Sequence, residues 1–410
     1  MIEPNDESED IRGKQRRDAN AEVTVVEPPV KWSPGRYRAT RGYLTWAQNV
    51  ERFQDHWRYG MEYLRADPKP PTGLTPKYSV WRYRNSRVYR YQHDQEPRFK
   101  TPVVLIYALI NKPYILDMIP GFSMVEYLVQ QGFDVYLLDW GDFGPEEANL
   151  TIDHLIFDRM RPAIRKVVQE SGGDSVSLIG ISMGGTLAAL YASLFEEPKV
   201  LNLVNIGGQI DFSDGGIAGR LMNPERFDPG KVVEAFPLVP PNLVTMLATL
   251  LNPVKNLLGG YTRFWRLFGT GMPVLGYNAL NKWGADGVNY PGSAYVQWIT
   301  AFTQKNRIVR GEVCLRGEPV RLERIQSSIL ALSGARDHTV PGHQVRALID
   351  HTSGQDKTYK EYPIDHDGLL FGRLARQDIY PHLADWLAER SEVYEGKRGS
   401  TESESAIWFG

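Results

Sequence analysis

The stretch Leu178–Leu190, LIGISMGGTLAAL, joins an apolar run to a run of small residues, and Ser182 stands between glycines at the junction. The residues before it, SVSLI (175–179), are short, apolar and suited to a strand, whereas GGTLAALYASLF (184–195) has the composition of a close-packing helix. Gly180-Ile181-Ser182-Met183-Gly184 fits the pattern G-x-S-x-G, in which the glycines leave room for a sharp strand-to-helix turn that exposes the serine hydroxyl. Taken alone the pattern is weak, because a chain with 38 glycines in 410 residues can meet it by chance. The strand before and the helix after give it meaning, since the helix aims its positive N-terminal end at the hydroxyl. Ser182 is therefore predicted to be a nucleophile, the alternative being a serine that merely starts a helix.

Working outward, other short apolar runs repeat the strand theme: PVVLIYALI (102–110), DVYLLDW (134–140), VLNLVNIG (200–207) and SSILALSGA (327–335). Helical segments at 123–131 and 152–171 separate the earlier ones. Buried strands alternating with helices predict an α/β fold, a mostly parallel central sheet with helices on both faces. SVWRYRNSRVYRY (79–91) alternates bulky and charged residues around RNS and predicts a hairpin near the sheet edge. YLTWAQNVERFQDHWRYGMEYLRA (43–66) has apolar residues at helical spacing until DPKPPTGLTP breaks it, which predicts a helix lying on the main body.

Between the last two strands lies a long insertion of different texture. It includes FPLVPPNLVTMLATLLNPVKNLLGGYTRFWRLFG (236–269), apolar, prolyl and aromatic without strand alternation. Its aromatic residues suit either the core of a helical subdomain or a lid facing substrate. The expected organisation is a disordered tail at 1–30, the first part of the core at 31–211, a mainly helical cap at 212–312, the second part of the core at 313–390, and a disordered tail at 391–410.

Composition narrows the function. Hydrophobic residues make up 42%, charged residues 23%, and the net charge is −2, so no excess of positive charge is available to hold nucleic acid. Cys314 is the only cysteine, which rules out an intrachain disulfide and a Cys/His zinc cluster. The segment MIEPNDESEDIRGKQRRDANAEV has no apolar run suited to a signal peptide, and no run approaches the roughly 18 apolar residues of a membrane span. The expectation is a cytoplasmic protein whose membrane or granule contacts are peripheral, with no cofactor and no metal.

A serine nucleophile needs a base and an acid, and in a fold of this kind they follow in the order Ser, Asp, His. Of the eight histidines, His366 in YPIDHDGLLFG falls in a loop beyond the predicted strands, where a general base belongs. His56, His93, His154, His343, His351 and His382 lie in or beside ordinary surface or helical segments. Asp337 in ALSGARDHTVP directly follows a buried strand and is placed to orient an imidazole; His338 beside it is the rival base. Asp365 and Asp367 flank His366 and would favour its protonated form. The oxyanion donors are expected to be the backbone N–H of Met183 and, from the loop ALINKPYILD, that of Ile110.

These segments resemble a known family. TPVVLIYALINKPYILDM with SMVEYLVQQGFDVYLLDWGD is similar to the corresponding parts of polyhydroxyalkanoate (PHA) synthases, which build storage polyesters from 3-hydroxyacyl-CoA. The similarity continues in LNKWGADGVNYPG, QKNRIVRGEV, GEPVRLERI and ARDHTVP and reaches upstream to TPKYSVWRYRNSRVYRY, about residues 70–390 in all. It implies an α/β-hydrolase core with a helical cap, acyl chemistry on hydroxyacyl esters, polyesters or acyl-CoA thioesters, association as a homodimer through the cap, and contact with polyester granules. Position by position it places Ser182 on the nucleophile, Asp337 on the catalytic aspartate, His366 on the base, and Ile110 with Met183 on the oxyanion donors.

The chain departs from that family at the centre. PHA synthases carry cysteine where Ser182 stands, and Asp365 occupies a position that is commonly glycine. Cys314, in RGEVCLRG, is far along the sequence from any elbow and is expected to be a small buried residue of a strand. A thiolate is the stronger nucleophile and its thioester stays activated, whereas a serine ester is close in energy to the polyester it would extend. The leading expectation is accordingly acyl transfer through Ser182 mainly to water, as an esterase, depolymerase or thioesterase. A true synthase using serine is the alternative, and an inactive granule-associated or partner subunit the third reading.

Overall fold

Strands buried on both faces form where apolar residues run without interruption, because each face of such a strand must find its own cover. The computed structural model of the protein describes residues 22–25, 61, 65–214, 222–241, 243 and 273–394. Among these, nine strands form one sheet. They are β1 (Glu22–Val25), β2 (Lys77–Tyr83), β3 (Ser86–Tyr91), β4 (Val103–Ile106), β5 (Val135–Asp139), β6 (Ser175–Ile181), β7 (Lys199–Ile206), β8 (Ser328–Gly334) and β9 (Lys357–Tyr362). Their spatial order is β1-β9-β8-β7-β6-β4-β5-β3-β2. Only β3 runs against its neighbours; the remaining pairings are parallel.

Alternation along the central strands divides the core in two. Val104 and Ile106 of β4, with Val176 and Leu178 of β6, belong to one cluster, while Val103, Leu105, Ile179 and Ile181 belong to the other. The helices α1 (Met124–Gln130), α2 (Arg161–Ser171), α3 (Met183–Leu194), α4 (Val274–Ala285), α5 (Gly342–His351) and α6 (Tyr380–Ala388) supply the cover. α2, α3 and α5 bury Ile164, Leu187 and Leu348 in the first cluster; α1 and α6 bury Leu128 and Leu383 in the second. Each such side chain contributes about 1.5–3 kcal/mol on leaving water, so the two-faced pattern fixes the layering.

Local signals set the helix ends. Ser123 caps α1 by accepting the Glu126 N–H at 2.9 Å, and Gly172 ends α2 in the left-handed region at φ 70°. The predicted continuous helix over 152–171 is divided: a wider helical turn occupies Leu155–Met160 before α2 begins. Pro162, which has no N–H to give, falls at this junction, where the wide turn makes room for its ring and the missing donor. The predicted hairpin is β2 and β3, which turn through Arg84 and Asn85 at one edge of the sheet.

Two departures lie at the side of the sheet opposite the hairpin and at the ends of the chain. β9, KTYKEY, was not among the predicted strands, because its charged residues leave only Tyr359 and Tyr362 buried and it lacks an apolar run. Within the stretch expected to be a tail, Glu22–Val25 pairs in parallel with β9. At the other end of the chain Val393 forms a bridge with Phe99, and Lys100 N–H donates to the Glu392 carbonyl at 2.8 Å.

The described parts of 212–312 are mainly helical: Pro229–Ala235, α4 and Gly292–Gln297, the last continuing into a wide turn through Gln304. The stretch YTRFWRLFG, most of the helix expected over 43–66, and the remainder of both tails lie outside the described residues. No helix among the described residues is long and apolar enough to cross a membrane.

Candidate active site

Ser182 occupies the step between β6 and α3. Its N–H donates to the Ile206 carbonyl at 2.9 Å, completing the β6–β7 ladder, and its own carbonyl accepts the Gly185 N–H at 2.9 Å as the helix begins. Between those bonds the chain reverses so tightly that Ser182 takes φ 54°, ψ −125°, a backbone region costing about 1–3 kcal/mol for a residue with a side chain. The flanking glycines make this possible. A Cβ on Gly180 would lie 2.5 Å from the Gly184 carbonyl oxygen, and one on Gly184 would lie 2.0 Å from the Ile106 carbonyl oxygen. Met183 is the first residue of α3, so its N–H belongs to the first turn and has no partner within the helix.

His366 follows β9 and opens a short turn over Asp367–Leu369. Its Nε2 lies 3.1 Å from Ser182 Oγ and its Nδ1 lies 2.5 Å from Asp337 Oδ2. Asp337 stands just beyond β8, its side chain wholly buried. Its Oδ1 accepts the Thr339 and Val340 N–H groups at 2.8 and 2.9 Å, which leaves Oδ2 for the imidazole. The carboxylate assigns the proton to Nδ1, so Nε2 presents its lone pair to the serine hydroxyl. Burial alone would lower the His366 pKa; the hydrogen bond and charge of Asp337, with the charges of Asp367 and Asp365, outweigh it and hold the imidazole above its ordinary value.

The structure thus brings Ser182, His366 and Asp337 into one hydrogen-bonded line, from three loops at the C-terminal edge of the parallel strands. His338, the rival base, is exposed beside the buried Asp337. Asp365 Oδ1 accepts the Gly368 N–H at 3.2 Å and so shapes the histidine turn. Of the other histidines, His154 bonds Thr151, His93 lies beside Asp134, and His343 and His351 are exposed. His382 bonds the Tyr362 hydroxyl at 2.8 Å, and burial with the nearby Lys360 pushes its pKa down to about 4. His56 lies outside the described residues. Ile110 sits four residues beyond β4; it and Met183 are half-buried and both pack against the two core clusters.

One group went unremarked in the sequence. Asn205, near the end of β7, accepts the Gly208 N–H and donates to the Gly208 carbonyl, each at 2.9 Å, and thereby closes the turn through Gly207. Gly207, at φ 62°, backs the imidazole so closely that a Cβ there would lie 3.1 Å from His366 Cε1. The signal was the sequence NIGG after a buried strand, where two glycines permit close approach.

This geometry suits attack by an oxygen nucleophile on an acyl carbon. The alpha/beta hydrolase fold family matches residues 101–372. The poly(3-hydroxyalkanoate) polymerase subunit PhaC of Haloferax mediterranei is 33% identical over 333 residues, covering 81% of this chain and 68% of the relative. That of Synechocystis sp. is 30% identical over 346 residues, 82% of this chain and 91% of the relative. That of Allochromatium vinosum is 30% identical over 335 residues, 81% and 93% respectively. The chain belongs to the PHA polymerase family of the α/β-hydrolase fold.

Membership in the PHA polymerase family makes the identity of the nucleophile the central chemical question, since the resemblance leads one to expect a thiol. Cys314 does not supply it from the elbow: it lies in a two-residue strand paired with Glu318–Pro319. Nor is it buried, as expected of a lone cysteine; its side chain is exposed, because that ribbon stands outside the main sheet. The atom that His366 meets in this family member is the oxygen of Ser182.

Proposed function

We propose that the protein is a polyester-forming acyltransferase of the PHA polymerase type in which Ser182 carries the growing acyl chain. The observation that carries this reading is the line Asp337–His366–Ser182 in a chain aligned with a PHA polymerase subunit over 82% of its length. His366 Nε2 takes the Ser182 proton as Oγ attacks the carbonyl carbon of a 3-hydroxyacyl-CoA thioester. The tetrahedral oxyanion is held by the N–H groups of Met183 and Ile110, and Asp337 stabilises the imidazolium. Collapse breaks the carbon–sulfur bond, and CoA leaves with the proton from His366.

The 3-hydroxyl of a further hydroxyacyl unit then gives its proton to His366 and attacks the acyl-Ser182 ester. A new ester forms, the released Ser182 oxygen recovers the proton, and the lengthened chain, now held as a CoA thioester, acylates Ser182 again with loss of CoA. Exchange of one oxygen ester for another is nearly balanced, so the drive comes from the thioester consumed in each round. The sequence alone weighted transfer to water more heavily. The polymerase names of the relatives favour transfer to a hydroxyl, and the oxygen at Ser182 is what favours water. Exclusion of water decides between them. The substrate is then an acyl-CoA and the product a polyester, with peripheral granule contact and dimer formation through the cap as parts of the same proposal.

Incubation with 3-hydroxybutyryl-CoA tests it. Polymer accompanying CoA release is the expected product, and free 3-hydroxybutyrate alone would return the reading to hydrolysis.

A further inference from the structure

The cap is tied to the loop after β4 by a short antiparallel bridge and two side-chain hydrogen bonds. The Val288 N–H donates to the Ile110 carbonyl at 3.1 Å, and Asn111 forms an antiparallel bridge with Gly287. At the end of α4 the Trp283 indole N–H donates to the Lys112 carbonyl at 2.8 Å, and the Tyr114 hydroxyl donates to Asp286 Oδ2 at 2.7 Å. Lys282 adds a cation 5.4 Å from the centre of the Tyr114 ring while its ammonium donates to the Pro70 carbonyl. At Gly287 a Cβ would lie 2.2 Å from Pro241 Cβ, so the strap has no slack there.

The loop so held carries Ile110, the residue given the second oxyanion donor above. On its N-terminal side the chain is fixed by the buried Tyr107, Ala108 and Leu109. On its C-terminal side Val288 fixes the Ile110–Asn111 peptide through its carbonyl, so the Leu109–Ile110 peptide, which carries the Ile110 N–H, is bracketed between a buried segment and a hydrogen-bonded planar group. Neither Trp283 nor Asp286 is assigned any contact with the acyl group, so their effect on chemistry passes through the loop.

We infer that Trp283 and Asp286 are positioning residues that hold the oxyanion loop, so that the cap helix α4 and the Ile110 donor move as one unit. The inference rests on Ser182 being the acyl carrier. A donor displaced by about 1 Å costs about 100-fold in rate while leaving ground-state binding nearly intact, which gives the arrangement a kinetic signature that a purely structural contact lacks.

Trp283→Phe keeps an aromatic ring and removes the indole N–H with its five-membered ring; Tyr114→Phe removes one hydroxyl from a half-buried residue and serves where the first variant folds poorly. With a short p-nitrophenyl acyl ester, kcat is expected to fall about 10- to 100-fold with KM within about twofold. Affinity for a boronic acid that forms a tetrahedral adduct on Ser182 should fall by the same factor. Hydrogen exchange of the peptide spanning 110–116 should quicken while that of β6 stays unchanged. Unchanged exchange overturns the strap, and quickened exchange with unchanged kcat overturns its positioning role. Turnover that survives Ser182→Ala would instead overturn the acyl-serine reading and with it the positioning role, the exchange measurement still judging the strap itself.

Discussion

Gly184 in α3 approaches β4 so closely that a Cβ added to it would lie 2.0 Å from the Ile106 carbonyl oxygen. That approach is what lets the helix start immediately after Ser182, and a methyl group can be admitted only by moving backbone. Gly184→Ala is expected to lower the stability measured by urea unfolding by about 1–3 kcal/mol. Gly284, inside α4, meets nothing within 4 Å of the same position. There Gly284→Ala should raise stability by about 0.5–1 kcal/mol. Equal unfolding midpoints for the two variants would contradict the packing argument.

The imidazole of His366 has its pKa raised, and only its neutral form can accept the Ser182 proton. The kcat/KM profile should therefore lose activity as pH falls through a pKa above the ordinary imidazole value. Asp337→Asn is expected to cut the rate severely and to move that acid limb to lower pH. The stability linkage has the opposite sense. Because the folded-state value is the higher one, this ion pair stabilises fully below the ordinary imidazole pKa, and its contribution is lost as pH rises through the folded value. An acid limb unchanged in Asp337→Asn would show that the carboxylate does not set the base.

Arg159 and Glu147 form an ion pair with both side chains 1% exposed, and Arg159 also donates to Ser86. Glu147→Ala leaves a buried guanidinium without its counter-charge and should cost about 3–5 kcal/mol. Replacing both, Arg159→Met with Glu147→Leu, should recover most of that loss in the same unfolding measurement. A single variant as stable as the parent would show the pair to be solvated.

The exposure of Cys314 separates oxygen from sulfur chemistry directly. In the folded protein a maleimide should modify this lone thiol while p-nitrophenyl ester turnover stays unchanged. Loss of activity in step with modification would point to a thiol route that the Ser182 geometry does not contain.

How much could be read beforehand followed from what each segment buries. The runs 102–110, 134–140, 175–181, 200–207 and 327–335 are buried on two faces, so continuous apolar residues announced them. The convergence of Ser182, Asp337 and His366 was legible because each follows such a strand or falls in a loop beyond them. β9 was not, since a strand whose lysines and glutamate interrupt its buried tyrosines has no apolar run and looks like a loop. The exposure of Cys314 depends on a two-residue ribbon with no periodicity to read. Asn205 and the strap from Trp283 to Val288 act through contacts between distant segments, such as Trp283 with Lys112, and no local pattern encodes a pairing of that kind.

The central claim is that the acyl chain grows on the Ser182 oxygen. The most direct measurement is to quench the protein during turnover of 3-hydroxybutyryl-CoA, digest it, and weigh the peptide carrying Ser182. The expected result is a ladder of repeating hydroxyacyl units on that peptide, absent from Ser182→Ala. An unmodified Ser182 peptide during active CoA release, or the ladder on the peptide carrying Cys314, would contradict it.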